Sequence, residues 1–223
     1  MSSNLTAPTI PSMLPQTSQP NRPPRGAAAA SLLVRLESIL ERLNLAACFP
    51  TQQPLEIELG SGDGSFLIEY ARRNPDRNFI GVERLLGRVR KLDRKAQRAG
   101  LHNVRAVRLE SSYFLRYLLP EHSAAALHIY FPDPWPKRKH RRHRLINDAF
   151  PGLAVQALTP GGTVFLRTDD VDYFEQMRAV FVAHSAFKPI AMPETLAALT
   201  TDFERDFHAR GISTLSAAYQ LKP

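Results

Sequence analysis

The chain has 223 residues, 43% of them hydrophobic, and a formal net charge of +8. This length suits one folded domain with a tail, and the positive charge favours a polyanionic partner, with nucleic acid first. The single cysteine, Cys48, excludes an internal disulfide, and no zinc-ligand spacing is present, so we expect no metal. No apolar run reaches the ~18 residues of a membrane span, and no cleavage-site pattern follows Arg25, so we expect a cytoplasmic protein.

The N-terminal part divides into two predicted segments. Residues 1–26 contain six prolines and no acidic residue, so they cannot bury enough apolar surface to offset the entropy of ordering, and we predict a disordered tail. For residues 27–50 we predict a helix, because leucine and isoleucine recur there at helical spacing: Leu32, Leu33, Leu36, Ile39, Leu40 and Leu43.

Residues 51–223 show an alternation of strand-like and helical runs that predicts an α/β domain with a mostly parallel sheet. The predicted strands are LEIEL, NFIGVE, VRAVRL, ALHIYF and TVFLR, and the predicted helices cover 66–73, 85–99, a short piece from 112, 144–158 and 170–184. The last run, STLSAAYQL, is predicted to be an antiparallel edge or near-edge strand. Ligands of such sheets bind beyond the carboxyl ends of the strands.

The first strand leads into the sequence LEIELGSGDGSF. Glutamate is unexpected in a buried strand, yet this strand contains Glu56 and Glu58. Glu58 is the better candidate for a ligand-binding residue because it is closest to the turn. Gly60, Gly62 and Gly64 allow a sharp turn and a close approach of a ligand to the backbone. A tight strand-to-helix turn without a ligand is the alternative.

Two more carboxylates end the next two strands. Glu83 ends FIGVE at the position where acidic side chains bind a ribose, and Glu110 ends VRAVRLE. Three carboxylates would repel a pyrophosphate, and G-x-G-x-G differs from the dinucleotide pattern G-x-G-x-x-G, so a cationic adenosine ligand, S-adenosylmethionine, fits better than a nicotinamide dinucleotide.

The fourth strand exits through FPDPWP. Residues before proline favour extended conformations, so Phe131, Asp133 and Trp135 are predicted to stay stretched, with Asp133 projecting into the cleft. A proline-rich loop with a capping aspartate is the alternative. Trp135 is equally suited to stack on a base or to pack under the loop.

A basic tract, KRKHRRHR at 137–144, follows this loop directly. Charge runs are usually solvated surface, but nine Lys or Arg against one Asp between Arg84 and Arg108 favour an RNA partner. A stripe that starts just before the predicted helix 85–99 and continues along it carries part of this charge: Arg84, Arg88, Lys91, Lys95 and Arg98.

The motifs LEIELGSGDG, FIGVE, YFPDPWPKRKHRRHRL, LRTDD and TDFER, in this order, resemble the bacterial tRNA (guanine-N7)-methyltransferase family, over about Leu55 to Arg205. The resemblance implies a seven-stranded Rossmann-like fold, S-adenosylmethionine as cofactor and tRNA as substrate, with methylation at N7 of guanine 46 in the variable loop. It implies no protein partner. FPDPWPK with the basic tract is the most specific part.

The resemblance also implies roles for individual residues. Asp133 is the catalytic residue. The cofactor-binding residues are Glu58, Gly60, Gly62, Glu83, Glu110 and Asp133. The substrate-binding residues are Lys137, Asp169, Thr201, Asp202, Phe203 and Glu204. The RNA-contacting residues are Lys139, His140, Arg141, Arg142, His143 and Arg144. Asp202 departs from the family, which commonly has lysine there, and this affects the expected C-terminal substrate contact.

The chemistry at N7 needs no general base, because this nitrogen carries a free lone pair. Asp169 and Glu204 could each accept from the guanine N1–H and 2-amino group, and the sequence does not distinguish them. An amino-group methyltransferase and a non-enzymatic RNA-binding module are the alternatives. A serine hydrolase is a weaker alternative because Ser61 and Ser65 lack the G-x-S-x-G context.

Overall fold

The computed structural model describes residues 31–223, except for the side chains of residues 202 and 203. The predicted tail, residues 1–26, lies outside the described residues. Within the described part, seven strands form one sheet: β1 (Leu55–Leu59), β2 (Asn78–Val82), β3 (Val104–Val107), β4 (Ala124–Tyr130), β5 (Leu158–Thr168), β6 (Phe187–Ile190) and β7 (Leu215–Leu221).

Helices connect these strands: α1 (Leu45–Cys48), α2 (Ser65–Arg73), α3 (Leu86–Arg98), α4 (Ser111–Tyr113), α5 (Phe150–Ala157), α6 (Val171–Val182), α7 (Glu194–Ala197) and α8 (Asp202–Ala209). A π-helical turn, Phe114–Leu118, continues α4, and a 3-10 helix covers Arg138–His143. None of the helices in residues 31–223 combines the length and the apolar character needed to cross a membrane.

The strands lie side by side in the order β3-β2-β1-β4-β5-β7-β6. The chain adds strands on one side of β1 up to β3 and then on the other side from β4, so the strand order reverses between β1 and β4. The first five strands in this order are parallel, and β7 is antiparallel to both β5 and β6. All residues of β1 and β2 are buried, as expected for strands covered by helices on both faces. The predicted Rossmann-like class and the predicted near-edge position of the last strand are confirmed.

The helix predicted for residues 27–50 is wrong over residues 31–44, and within the described residues 31–50 helical structure is limited to α1. Residues Leu32 to Val34 instead run along the edge strand β3, where the Val34 amide donates to the Ala106 carbonyl at 2.9 Å and the Ala106 amide donates to Leu32 at 3.0 Å. The segment thereby satisfies backbone groups that an edge strand leaves unpaired. The residues at helical spacing do not form one buried face, since Ile39 and Leu40 are exposed.

Two other elements differ from the prediction. The helix predicted over 144–158 begins only at Phe150, with Pro151 in its first turn, the position where proline is best tolerated in a helix. The short strand β6 was not predicted, because its sequence FKPI contains proline and its middle two residues are exposed. Proline in a strand is confined to edges, which is where β6 lies.

Candidate active site

The turn after β1 is built from glycines in the left-handed region. Gly60 and Gly62 have φ angles of 78° and 57°, which side chains rarely adopt. The amides of Gly60 and Ser61 donate to the Val82 carbonyl at 2.9 and 3.0 Å, which joins the turn to β2. A Cβ added to Gly60 or Gly62 would meet no atom within 4 Å. The turn is therefore an open cradle over which a ligand can contact the backbone.

Glu58 lies buried beneath this turn at the end of β1. No donor among the described residues reaches its Oε2, and the buried Ser61 Oγ likewise has no partner among them. Burial raises the pKa of the Glu58 carboxyl well above its ordinary value, and the carboxylates of Asp63 and Glu83 raise it further. An unsatisfied buried carboxyl costs free energy, so this group is poised to accept from a donor or a cation.

The next two strand ends carry the other two predicted carboxylates. Glu83 accepts from the Gly62 amide at 3.1 Å and from the Leu85 amide at 2.8 Å. Glu110 caps α4 by accepting from the amides of Ser112 and Tyr113 at 2.9 and 2.8 Å. Both carboxylates are fixed by backbone amides, and each oxygen retains lone pairs for a ligand hydroxyl or amine.

A cavity of about 500 Å³ opens at the point where the strand order reverses. Gly60, Glu83 and Glu110, which follow β1, β2 and β3, line it together with Asp133 and Trp135 from the loop after β4. This is the location that the general rule for open α/β sheets assigns to the ligand. Four of the residues predicted to bind the cofactor therefore line one cavity. Glu58 is buried in the strand one residue before the lining residue Leu59, and neither Glu58 nor Gly62 lines the cavity itself.

The loop after β4 forms the second wall. Its Asp133 is exposed, and the Arg84 guanidinium lies 3.8 Å from the Asp133 carboxylate. The extended conformation predicted for the residues before proline is wrong for Phe131 and Trp135, which have φ angles of 50° and 45°. The Phe131 amide still donates to the Arg167 carbonyl at 2.8 Å, so the chain turns immediately after its last pairing with β5. Backbone strain of this kind clusters at functional sites.

Trp135 packs against two histidines of the basic tract. Its ring centroid lies 5.9 Å from that of His140 and 5.3 Å from that of His143. Trp135 and His143 also line the cavity. The indole ring therefore packs within the loop, and stacking on a base stays a prediction.

The basic tract folds into the 3-10 helix, with most of its cations exposed. Lys137 precedes this helix, and Lys139 and Arg142 project from it as exposed side chains. Arg141 pairs with Asp172 on α6 at 2.9 Å but remains partly exposed. These four side chains are accessible to a polyanion.

Arg144 contradicts the expectation that it contacts RNA, because its side chain is only 1% exposed. Its Nε donates to the Pro134 carbonyl at 2.7 Å, and its other two nitrogens donate to Asp172 at 2.6 Å and to Gln176 at 2.7 Å. The guanidinium also lies 4.7 Å from the centroid of the Tyr173 ring. All of its donor groups are thus directed inward, and Arg144 fastens the loop to α6.

None of the predicted substrate residues whose side chains the structure describes lines the cavity. Asp169 is half-buried at the end of β5, immediately before Asp170, which caps α6. Thr201 and Glu204 form a capping box at the start of α8, and both are buried. Glu204 also pairs with Arg167 at 3.0 Å. The predicted roles of Asp202 and Phe203 concern side chains outside the described set.

Sequence reasoning missed two features near the site. Arg167, inside β5, lies 4.7 Å from the centroid of the Tyr130 ring, and Tyr130 lines the cavity. His128, inside β4, bonds Glu56 at 2.7 Å, and Glu56 also pairs with Arg77. The available signal in both cases was a charged residue in an otherwise apolar strand, namely Arg167 in β5 and Glu56 in β1. Glu56 is paired with His128 and Arg77 of the protein itself.

The residues around the cavity fit S-adenosylmethionine on structural grounds. The unpartnered Oε2 of Glu58 suits the ammonium or sulfonium, and the fixed carboxylate of Glu83 suits ribose hydroxyls. The open glycine turn leaves room for the ligand next to the backbone. The three carboxylates disfavour a pyrophosphate, which carries the same sign of charge.

Comparison with known proteins agrees with this geometry. Residues 52–216 match the family described as putative methyltransferase. The chain is 33% identical over 186 residues to the tRNA (guanine-N(7)-)-methyltransferase of Halorhodospira halophila, covering 81% of this chain and 80% of that protein. It is 35% identical over 194 residues to that of Chromohalobacter salexigens, covering 79% of each. The match to that of Nitrosococcus oceani is 38% over 148 residues, or 66% of this chain and 63% of that protein.

Solved structures show the same fold at low sequence identity. The crystal structure of the 16S rRNA methyltransferase KamB has a TM-score of 0.59 at 17% identity, with 82% of this chain and 95% of that chain covered. The [4+2]-cyclase SpnF reaches a TM-score of 0.54 at 14% identity, with 78% and 77% covered. Because a cyclase shares the architecture, this likeness carries the fold alone. The sequence matches that cover about four fifths of two relatives, by contrast, show that the chain belongs to the bacterial tRNA (guanine-N7)-methyltransferase family.

Proposed function

We propose that this protein transfers a methyl group from S-adenosylmethionine to N7 of a guanine in tRNA, and that this guanine is position 46 of the variable loop. The observation that carries the proposal is the cavity itself, which has fixed carboxylates on one wall and the exposed Asp133 on the other. Family membership supports N7 of guanine as the methylated atom and tRNA as the substrate, because the relatives are named tRNA (guanine-N(7)-)-methyltransferase.

The carboxylates that follow β1, β2 and β3 hold the cofactor, whose cationic end lies next to its adenosine. Glu58 accepts from the cationic end, Glu83 accepts from the ribose hydroxyls, and Glu110 extends the acidic wall beyond them. Bound S-adenosylmethionine would supply an electrophilic methyl group on a positively charged sulfur. Gly60 and Gly62 keep side chains away from the space that this ligand needs.

Asp133, in the loop after β4, stabilises the positive charge that develops on the base. Guanine N7 attacks through its free lone pair, so no residue has to remove a proton first. The purine becomes positively charged as the N7–CH3 bond forms and the S–CH3 bond breaks, with a neutral thioether as the leaving group. The Asp133 carboxylate, exposed at the cavity, stabilises that positive charge. Alignment of the two reactants supplies most of the remaining acceleration, and well-oriented reactions gain ~7 to 11 kcal/mol in this way.

Recognition of the guanine edge is assigned to Asp169 in this proposal. Both oxygens of Glu204 are engaged by Arg167 and by the Thr201 amide, whereas Asp169 is only half-buried at the end of β5. The segment Thr201–Glu204 then acts by holding α8 near the substrate. Lys137, Lys139, Arg141 and Arg142 contact the phosphates, and His140 and His143 support Trp135 beneath the entering base.

The test is methylation of unmodified tRNA by the purified protein with S-adenosylmethionine, followed by mass spectrometry of the nucleosides. We expect N7-methylguanosine, and aniline cleavage after borohydride reduction should map it to position 46. A methylated exocyclic amine would instead indicate an amino-group methyltransferase. Tight tRNA binding without cofactor binding in calorimetry would indicate an RNA-binding module.

A further inference from the structure

The exposed side of α3 carries four cations that the site described above does not use. Arg90, Lys91, Arg94 and Arg98 are all exposed, and together they are called the outer face of α3. The opposite side of the helix is fully buried against the sheet through Val89, Leu92 and Ala96. The outer face therefore points away from the core along the whole length of the helix.

The stripe predicted from the sequence divides into two groups in the structure. Arg84 and Arg88 line the cavity. Both of them and Lys95 lie near carboxylates: Arg84 at 3.8 Å from Asp133, Arg88 at 3.8 Å from Glu83 and Lys95 at 2.8 Å from Asp63. These three cations are already compensated. Arg90 and Arg94, which were not part of the predicted stripe, belong to the other group.

The outer face has no compensating charge among the described residues, since no carboxylate oxygen there lies within 4 Å of its four cations. The one acidic residue of α3 is Asp93, and it is turned to the N-terminal segment. Its oxygens accept from the Leu32 amide at 2.8 Å and from Ser31 Oγ at 3.0 Å. Four like charges within about three turns repel one another and weaken the helix unless an anion neutralises them.

We propose that the outer face of α3 binds phosphates of the tRNA whose guanine enters the cavity, as a second contact besides the basic tract; this rests on the proposed function. The N-terminal end of α3 lies at the cavity rim, where Arg88 lines it. Successive turns place Arg90, Arg94 and Arg98 at steps of ~6 Å leading away from the rim. The basic tract lies on the other wall, so the two contacts flank the methyl-transfer site and orient the tRNA across it.

The experiment compares two double variants of equal charge. In the first, Arg90→Gln and Arg94→Gln remove two cations from the outer face. In the second, Arg72→Gln and Arg73→Gln remove two exposed arginines from the last turn of α2, where both pair with Glu69. Each variant lowers the formal net charge from +8 to +6, so non-specific attraction changes equally. All four positions are exposed, and circular dichroism checks the fold.

Binding of a tRNA transcript is measured at several salt concentrations. The outer-face variant should bind roughly tenfold more weakly, and its plot of log affinity against log salt should lose about two units of slope, one for each phosphate contact. The α2 variant should stay within about twofold of the wild type. Equal weakening in both variants, or none in the outer-face variant, would overturn the inference.

The proposed function is read separately. If the wild-type protein forms no N7-methylguanosine, the proposed function fails whatever the outer-face variant does. If the wild type forms N7-methylguanosine and the outer-face variant binds tRNA normally, the inference alone fails. S-adenosylmethionine affinity, measured by calorimetry, should be the same in both variants and in the wild type.

Discussion

Arg144 donates from Nε to the carbonyl oxygen of Pro134 at 2.7 Å, one residue after Asp133. The same guanidinium is held from behind by Asp172 and Gln176 of α6. The position of the Asp133 backbone therefore depends on an arginine eleven residues further along the chain. Hydrogen bonds from Arg144 also lower the pKa of the Asp172 carboxyl, with the Arg141 charge adding to the effect.

Replacing Arg144 should damage turnover more than RNA binding. Arg144→Lys keeps the positive charge but loses the planar set of donors, so the loop is no longer held at three points. We expect kcat to fall about 100-fold, because small misplacements of a reacting group have effects of this size. The KM for tRNA and the salt dependence of binding should change little.

Two further variants separate positioning from RNA contact. Arg142→Gln, which removes an exposed cation of the basic tract, should raise the KM for tRNA and leave kcat almost unchanged. Asp172→Asn should lower kcat as Arg144→Lys does. If Arg144 did not position the loop, Asp172→Asn would leave kcat unchanged, which would contradict the positioning role.

Asp133→Asn tests the carboxylate that faces the cavity. The side chain is 72% exposed, so the change should leave the melting temperature unchanged. Loss of the negative charge should lower kcat by about 100- to 1,000-fold, as for other preorganised electrostatic groups. Single-turnover kinetics at saturating tRNA isolates this step. Asp148→Asn, at an exposed position away from the cavity, is the matched control, and a similar rate in both variants would remove Asp133 from the mechanism.

Glu58 should make cofactor binding dependent on pH. Its pKa is raised above the ordinary 4.5 by burial and by neighbouring carboxylates, so the free protein holds a proton there over a range above that value. A cationic ligand favours the ionised form, so binding releases this proton, and affinity should increase as the pH rises through the raised pKa. Calorimetry in buffers of different ionisation enthalpy measures the released proton directly.

The variant Glu58→Gln provides the control for this effect. It should bind S-adenosylmethionine more weakly and lose the proton release. A raised carboxyl pKa also lowers the stability of the free protein as the pH rises from the unfolded value to the folded one. The variant should therefore gain stability relative to wild type across that window. Proton release that persists in Glu58→Gln would assign the titration to another group.

The architecture followed from the sequence where side-chain periodicity is strong. Strands β1 and β2 are recognisable from their Leu, Ile, Phe and Val residues, although β1 also contains Glu56 and Glu58, and Gly60 and Gly62 need φ values that other residues disfavour, so both features were readable. The leucine spacing after residue 30 was misleading, because pairing of Leu32 to Val34 with β3 outweighs helical propensity. Local patterns contain no information on such tertiary hydrogen bonds.

The same limit applies to the site. The sequence placed Glu58, Glu83, Glu110 and Asp133 at strand ends, and parallel topology then brings strand ends together. It did not show that Arg144 is buried, because nothing local distinguishes it from the exposed cations before it. The partners that bury it, Asp172 and Gln176, lie about 30 residues further along the chain.

The ion pair between Arg167 and Glu204 gives the last prediction. Both side chains are almost fully buried, and Arg167 also donates to the carbonyls of Leu196 and Leu199. Glu204→Gln keeps the shape but leaves the Arg167 charge without compensation, which should lower the free energy of unfolding by about 3 kcal/mol or more. Urea denaturation without tRNA measures this loss.

A double-mutant cycle then separates the structural role of Glu204 from guanine recognition. Arg167→Met with Glu204→Gln should recover much of the lost stability, because the buried charge is removed together with its partner. Hydrogen exchange in α8 should rise in Glu204→Gln and fall again in the double variant. Glu204→Gln could instead leave the stability unchanged and lower turnover, with no recovery of turnover when Arg167→Met is added. That result would show that Glu204, rather than Asp169, recognises the guanine. Asp169→Asn should lower kcat/KM for tRNA in either background while leaving the urea midpoint unchanged.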